Sequence, residues 1–149
     1  MGNVEALATE VIDCGYHLHR KLGPGLFESV YELLLADAIS KRGLHVEQQK
    51  LIDIEFEGLQ VPGAFKVDLL IENTLIIELK SVERTAPVHI KQTLTYLRLM
   101  ALPLGFVMNF GEARFMDGLK RVVNTLSGFP SSSRLRGNPL SPTSEDQSR

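Results

Sequence analysis

An apolar segment from Phe65 to Ser81 constrains the fold of this chain more than any other part of it. Its sequence, FKVDLLIENTLIIELKS, contains two apolar runs separated by residues 72–74. If residues 72–74 form a hairpin loop, Asp68 lies directly opposite Glu78. Glu78 and Lys80 share one face of the second run, because side chains alternate between the faces of a strand. The segment therefore predicts a β-hairpin on which two carboxylates and one ammonium group converge.

The predicted proximity of Asp68 and Glu78 has an electrostatic consequence. At about 4 Å and an effective dielectric constant of about 20, two carboxylates repel each other by roughly 4 kcal/mol. A divalent cation would convert this repulsion into a binding site. In the alternative interpretation, these two residues and Lys80 form an ion-pair cluster on an exposed sheet face. The residues predicted to share the apolar face opposite Asp68 are Phe65, Val67, Leu69 and Ile71.

The composition of the chain is typical of one globular domain. With 149 residues, of which 44% are hydrophobic, the chain can bury one core. We predict a domain over residues 1–127 and a tail over residues 128–149. The tail is rich in serine and proline, so burial cannot offset its ordering entropy, and we predict that it is disordered.

Charge and cysteine content restrict the classes of function. The net charge of −2 argues against a protein that coats nucleic acid through charge alone, but is compatible with an enzyme that binds a few phosphates locally. Cys14, the single cysteine, excludes an intramolecular disulfide and a cysteine-rich zinc site. No apolar run has the length of a membrane span, and we see no secretory signal pattern. We therefore expect a cytoplasmic protein that does not bind membranes.

Hydrophobic periodicity predicts the order of the secondary-structure elements. The predicted elements are helices at 4–22 and about 26–42, a strand at 52–56, a strand from about Ala64, the second hairpin strand, a helix at about 87–101 and a strand at 104–110. Gly23-Pro24-Gly25 ends the first helix, and Pro62-Gly63 is expected to delay the strand that begins near Ala64. Residues 113–126 are compatible with either a strand or a closing helix.

Four short motifs connect this order of elements to a known family. They are GLFESVY at 25–31, VDLL at 67–70, IELKS at 77–81 and NFG at 109–111. In this order they resemble the GxxExxY family of the PD-(D/E)XK nuclease superfamily, over roughly residues 5–123. Gln92 and Tyr96 match a Q-x-x-x-Y pattern seen after the E-x-K strand in many of these nucleases. One departure is Val67, which stands where the superfamily's name has a proline that many members lack.

The resemblance implies a fold and an activity. The implied fold class is α/β (α+β), with a restriction-endonuclease-like core in which helices flank a mixed central β-sheet. The implied activity is Mg2+-dependent cleavage of phosphodiester bonds in nucleic acid, with Mn2+ as a substitute ion. The motifs do not distinguish DNA from RNA, and we expect DNA rather than RNA as the partner. Because a core this small has little surface for reading bases, we expect a homodimer or a partner protein to assist it.

The resemblance also implies roles for four residues. Asp68 and Glu78 would bind the metal ion, and Lys80 would orient the attacking water or stabilise charge on the phosphate. Glu28 would add a third acidic group to the metal site from the second helix. Its alternative role is to complement the positive N-terminus of that helix, which contributes roughly 0.3–1 kcal/mol.

Four further residues are candidates for contacts with substrate. Gln92 is a candidate to bind the phosphate or the attacking water, and Tyr96 could do the same through its hydroxyl. Solvation of the helix surface would explain both residues equally well. Tyr31 either contacts substrate or packs in the core. Lys66 is expected opposite Lys80 in the hairpin and is a candidate phosphate contact.

Two other functions remain open from the sequence. A catalytically silent nuclease-fold scaffold or nucleic-acid-binding module would keep the fold without the reaction. A hydrolase of a small phosphodiester would use the same metal chemistry, and fold alone does not separate it from a nuclease.

Overall fold

A five-stranded mixed sheet with helices on both faces forms the body of the protein. The computed structural model describes residues 3–125. The helices are α1 (Val4–Leu22), α2 (Glu28–Ser40) and α3 (Pro87–Met100), and the strands are β1 (Val46–Phe56), β2 (Leu59–Ile71), β3 (Leu75–Lys80), β4 (Leu104–Asn109) and β5 (Leu119–Val123). The strand order is β1-β2-β3-β4-β5, in which β3 and β4 are parallel and the other neighbours are antiparallel. The predicted α+β fold class is confirmed. The predicted domain end at 127 and the predicted disordered tail lie outside the described residues.

The central strand β3 divides the core into two layers. Ile77 and Leu79 belong to the cluster that packs against α1 and α2, whereas Ile76 belongs to the cluster that packs against Leu97 of α3. Residues 75–79 are all buried, because β3 has neighbouring strands on both sides and helices on both faces. Alternation therefore places Glu78 and Lys80 on the same side of the sheet as α3. Within residues 3–125, no helix is long and apolar enough to cross a membrane.

The strand predicted to begin near Ala64 begins earlier, at Leu59, so this boundary was wrong. A two-residue turn at Glu57-Gly58, with φ values of 50° and 87°, joins β1 directly to β2. Strand β3 pairs only with residues 69–71 of β2, which leaves the first half of β2 without a neighbour on that side. A proline is tolerated at such an edge, since no strand requires its missing N–H. Pro62 and Gly63 therefore lie within β2, beside a register shift in the pairing with β1.

Helix α2 begins two residues later than predicted. The Phe27 carbonyl accepts hydrogen bonds from the amides of Val30 and Tyr31 at 3.0 and 3.3 Å, which makes Phe27 the N-cap. Leu26 and Phe27 therefore belong to the loop that connects α1 to α2. Glu28 is the first residue of the helix.

The segment that the sequence left undecided contains both a short helix and a strand. A 3-10 turn spans Phe115–Gly118, and β5 then pairs antiparallel with β4. Arg121 of β5 forms an ion pair with Glu5 at the start of α1, at 2.5 Å. The strand thus closes the sheet beside the first helix.

Asn109, at the end of β4, fixes the loop between β3 and α3. It is 1% exposed, and its Oδ1 accepts hydrogen bonds from the amides of Val82 and Gly111, each at 3.0 Å. Its Nδ2 donates to Thr85 Oγ1, also at 3.0 Å. The loop that follows Lys80 is therefore held by one buried side chain.

Replacing Asn109 should destabilise the fold. Asn109→Ala removes three hydrogen bonds and leaves two backbone amides without their partner, so we expect the free energy of unfolding to fall by about 2–4 kcal/mol. Chemical denaturation measures this change. Gln60→Ala is the control. It removes an exposed side-chain amide from the hairpin that β1 and β2 form, and should change the free energy of unfolding by no more than about 0.5 kcal/mol. Wild-type stability in Asn109→Ala would contradict the role of this side chain.

Candidate active site

Asp68 and Glu78 meet where the pairing between β2 and β3 ends. A turn at residues 72–74 joins the two strands, and the pairs of the ladder end at Leu69–Ile77. Beyond that pair, the Asp68 amide donates to Glu78 Oε2 at 3.0 Å, and the Leu79 amide donates to Asp68 Oδ2 at 2.8 Å. Side-chain carboxylates thus replace backbone carbonyls as the acceptors. The predicted position of Asp68 opposite Glu78 is confirmed, and both side chains are fixed by the opposite strand.

The apolar face predicted for the first hairpin strand is wrong. Phe65 and Val67 pack in the α3 layer, whereas Leu69 and Ile71 pack in the layer of α1 and α2. The change of side occurs at Asp68. Strict alternation fails because the β1–β2 ladder is irregular beside Asp68, where pairs form only on either side of it.

Burial perturbs the acidity of Glu78. Its side chain is 5% exposed, and burial, followed by the negative charge of Asp68, raises its pKa to about 8. The amide of Asp68 and the charge of Lys80 act in the opposite direction. The site therefore holds two adjacent carboxyl groups whose joint ionisation is unfavourable without added positive charge.

Glu28 and Lys80 lie within electrostatic range of the same pair. Burial raises the pKa of Glu28; the charge of Lys80 lowers it, and the charges of Asp68 and Glu32 raise it. Lys80 forms no ion pair within 4.0 Å in the part of the chain that the structure describes. Its ammonium group is therefore not neutralised by direct contact with a protein carboxylate.

Tyr31 positions the loop that precedes Glu28. It is fully buried and stacks on Phe110, with ring centroids 4.6 Å apart. Its hydroxyl donates to the Gly23 carbonyl at 2.5 Å and accepts from the Leu26 amide at 3.2 Å. The substrate contact considered for Tyr31 is not supported, because the ring is in the core and the hydroxyl is bonded to the backbone.

A second hydrogen bond ties this loop to the end of β3. Ser81 Oγ donates to the Leu26 carbonyl at 2.6 Å. Ser81 directly follows Lys80, and Leu26 precedes Glu28 by two residues. The bond therefore ties the loop before α2 to the end of β3, the strand that carries Glu78.

Tyr96 lies close to the site, whereas Gln92 faces solvent. Tyr96 stacks on Phe65 with centroids 4.2 Å apart, and burial raises its pKa, with smaller effects from the charges of Glu78 and Asp68. Gln92 is exposed, and its side chain forms no hydrogen bond with the described residues. Its predicted contact with phosphate or water stays a prediction.

Lys66 is not held opposite Lys80. The β2–β3 ladder stops at Leu69–Ile77, so strand pairing does not extend to Lys66, which is exposed and pairs with Leu51 of β1. The expected juxtaposition of the two lysines assumed a hairpin that continued to its ends. The strands instead diverge beyond the carboxylates.

Two residues that the sequence did not indicate complete the surroundings of Asp68. Gln49 Nε2 donates to Asp68 Oδ1 at 3.1 Å and to Glu32 Oε1 at 2.7 Å. Glu32 lies four residues after Glu28 in α2, so helical spacing could have identified it. Nothing in the pattern of β1 distinguishes Gln49.

The carboxylate pair has the chemistry of a Mg2+ site. No three His, Cys, Asp or Glu side chains within residues 3–125 are grouped closely enough to hold a metal ion, so Glu28 is not placed as a third ligand beside Asp68 and Glu78. Mg2+ is commonly held by one or two carboxylates, while water and phosphate complete its shell. Glu78 Oε1 has no hydrogen bond to the described residues, which leaves it available as a ligand. Asp68 and Glu78 therefore fit the ion, which would also relieve their repulsion.

Comparison with known families agrees with this fold. Residues 5–122 match the family model described as the PD-(D/E)XK nuclease superfamily. The chain belongs to this superfamily. No match was found among curated proteins or among solved structures.

The raised pKa of Glu78 predicts a pH-dependent stability of the metal-free protein. Its pKa is about 8 in the folded protein, against 4.5 for an ordinary glutamate. Folding favours the protonated form of Glu78. The resulting contribution of Glu78 to the free energy of unfolding is therefore complete below about pH 4.5, and it is lost as the pH rises through about 8. Relative to Glu78→Gln, we expect the free energy of unfolding of the wild type to fall by about 3–5 kcal/mol over this range.

Chemical denaturation with a chelator present, between about pH 5 and pH 8, measures the difference between the two proteins. Glu55→Gln, an exposed substitution in β1, is the control and should follow the wild type. Parallel pH profiles for the wild type and Glu78→Gln would show that Glu78 does not resist ionisation in the fold.

Proposed function

We propose that this protein is a Mg2+-dependent nuclease that hydrolyses phosphodiester bonds in nucleic acid. The observation that carries the proposal is the pair formed by Asp68 and Glu78. Each carboxylate accepts a hydrogen bond from a backbone amide of the opposite strand. Lys80 follows on the same side of β3, without a direct carboxylate partner among the described residues. Membership of the nuclease superfamily supports the same conclusion.

In this proposal Asp68 and Glu78 hold the ion through their oxygens. Bound there, Mg2+ would supply a water of lowered pKa and polarise a phosphoryl oxygen. Lys80 provides a positive charge beside the pair, which can orient the attacking water or stabilise the charge that develops on the phosphate. Glu28, within electrostatic range of Lys80 and Asp68, adds a carboxylate from the first turn of α2.

The remaining parts of the proposal concern substrate and setting. Gln92, exposed on α3, is the proposed contact to phosphate or water. Burial raises the pKa of Tyr96, which lies near enough to the site for the charge of Glu78 to raise it further, and its hydroxyl is the second proposed contact. We propose DNA in preference to RNA as the substrate, and a second copy or a partner protein as the aid to base recognition. The buried, unpaired Cys14 supports a reducing cytoplasmic compartment.

A catalytically silent scaffold or nucleic-acid-binding module is the second candidate. It is favoured by the net charge of −2 and by the lack of a ready three-ligand metal cluster in the described part of the chain. A scaffold would bind nucleic acid equally well after substitution of Asp68. A hydrolase of a small phosphodiester would instead cleave a model ester that nucleic acid does not compete for.

Substitution of the central residues should abolish cleavage without unfolding the protein. We expect Asp68→Asn and Lys80→Met to lower Mg2+-dependent cleavage of DNA by at least about 100-fold, because each removes a charge that acts on the reacting phosphate or its ion. Cleavage assays on single- and double-stranded DNA and on RNA, with denaturation curves for each variant, measure both effects.

Lys41→Met is the matched control for the lysine substitution. Lys41 is exposed just after the C-terminal end of α2, about 20 Å along the helix axis from Glu28. Its cleavage rate should equal that of the wild type. Activity that persists in Asp68→Asn and Lys80→Met would show that the reaction occurs elsewhere or belongs to a contaminant.

The ion itself can be tested in the absence of substrate. We expect calorimetric titration to detect binding of Mn2+ to the wild type, and more weakly of Mg2+, because Mg2+ depends more on substrate phosphate. The Asp68→Ala, Glu78→Ala double variant should bind neither ion. A wild type that binds neither Mn2+ nor Mg2+ would support the scaffold instead.

A further inference from the structure

Gln49 has a left-handed backbone conformation inside a strand. Its φ is 50°, a region in which the backbone of residues other than glycine is strained. Regular pairs of β1 with β2 form on either side of it, at Gln48–Leu69 and Lys50–Val67. The other described non-glycine residues with positive φ lie in turns or at a helix end: Glu57, Glu72, Asn73 and Ala101. A change of chain direction therefore does not explain the strained backbone of Gln49.

The side chain of Gln49 bridges two carboxylates. Its Nε2 donates to Glu32 Oε1 at 2.7 Å and to Asp68 Oδ1 at 3.1 Å. Both acceptors are carboxylates, so only the NH2 end of the amide can occupy this position. The amide supplies two donors between two negative groups, without adding a charge that would compete with a metal ion.

Glu32 anchors this bridge from inside the protein. It is 7% exposed, and its second oxygen accepts from Gln48 Nε2 at 3.2 Å. Both oxygens of Glu32 thus accept hydrogen bonds from side-chain amides of β1. Its hydrogen-bonded connection to Asp68 passes through Gln49.

The bridge fixes the second oxygen of Asp68. Oδ2 is already held by the Leu79 amide, and Gln49 is the partner of Oδ1. With both oxygens bonded, the plane of the carboxylate is set relative to Glu78. Without Gln49, the carboxylate could rotate about its bond to Cβ.

We propose that Gln49, backed by Glu32, is a positioning residue that orients the Asp68 carboxylate for the metal ion. The proposal rests on the nuclease function proposed above. The positioning role also explains the strained backbone of Gln49, because the left-handed conformation directs its side-chain amide to a point between α2 and β2. Partners of metal ligands typically change metal affinity about 10- to 100-fold when they are removed.

Gln49→Gly separates positioning from stability. Glycine adopts a φ of 50° without strain, which offsets part of the cost of the two lost hydrogen bonds, so we expect the metal-free variant to fold with a melting temperature within about 5 °C of that of the wild type. The dissociation constant for Mn2+, measured by calorimetry, should nevertheless rise about 10-fold. A purely structural role for Gln49 predicts wild-type affinity for Mn2+, whatever the change in stability.

Gln48→Ala is the matched control, because Gln48 bonds Glu32 but not Asp68. Its dissociation constant should stay within about 2-fold of that of the wild type, since Gln49 remains. A Gln49→Gly protein that binds Mn2+ as tightly as the wild type overturns the positioning role.

A structural measurement decides the proposal even if the wild type binds no Mn2+, which would count against the proposed function alone. Crystal structures of the metal-free wild type and Gln49→Gly compare the orientation of the Asp68 carboxylate. A rotated carboxylate in the variant supports the positioning role. An unchanged orientation overturns it.

Discussion

The exchange of hydrogen bonds between two carboxylates and two backbone amides is the interaction on which the site depends. Asp68 and Glu78 lie one position beyond the last regular pair of their hairpin. Each strand end would otherwise have an unpaired amide, and a buried amide without a partner costs roughly 1–3 kcal/mol. Because the carboxylates accept hydrogen bonds from these two amides, the strands can diverge without leaving an amide unpaired.

The same arrangement is electrostatically unfavourable, and the fold has to hold the two side chains in place against it. Two carboxylates close together in a buried position resist joint ionisation, as the raised pKa of Glu78 shows. The surrounding structure holds them in place through neutral donors, among them the Leu79 amide and the Gln49 side chain. Ser81 also ties the end of β3 to the loop before α2. The protein thus maintains an electrostatically unfavourable pair by hydrogen bonds from several elements.

The sequence alone determined the core of the site. A three-residue loop between two apolar runs fixes which residues face each other, so the pairing of Asp68 with Glu78 follows from chain spacing. Period-two alternation placed Lys80 beside Glu78, and helical periodicity identified the three helices. Strand β3 was recognisable because a strand buried on both faces is apolar along its length. These features follow from local rules that hold in any tertiary context.

Only the tertiary structure decided the features that depend on contacts between distant segments. The change of face at Asp68 and the bridge from Gln49 require β1 to pair with β2 and to lie against α2, which no local pattern encodes. Pro62 could enter a strand because the neighbouring strand is too short to reach it. Tyr31 was ambiguous because an aromatic residue with a hydroxyl suits both a core and a binding site, and its partners, including the Gly23 carbonyl, appear only when the loop is folded. Spacing along the chain predicts which residues face one another within an element, whereas the position of one element against another sets their roles.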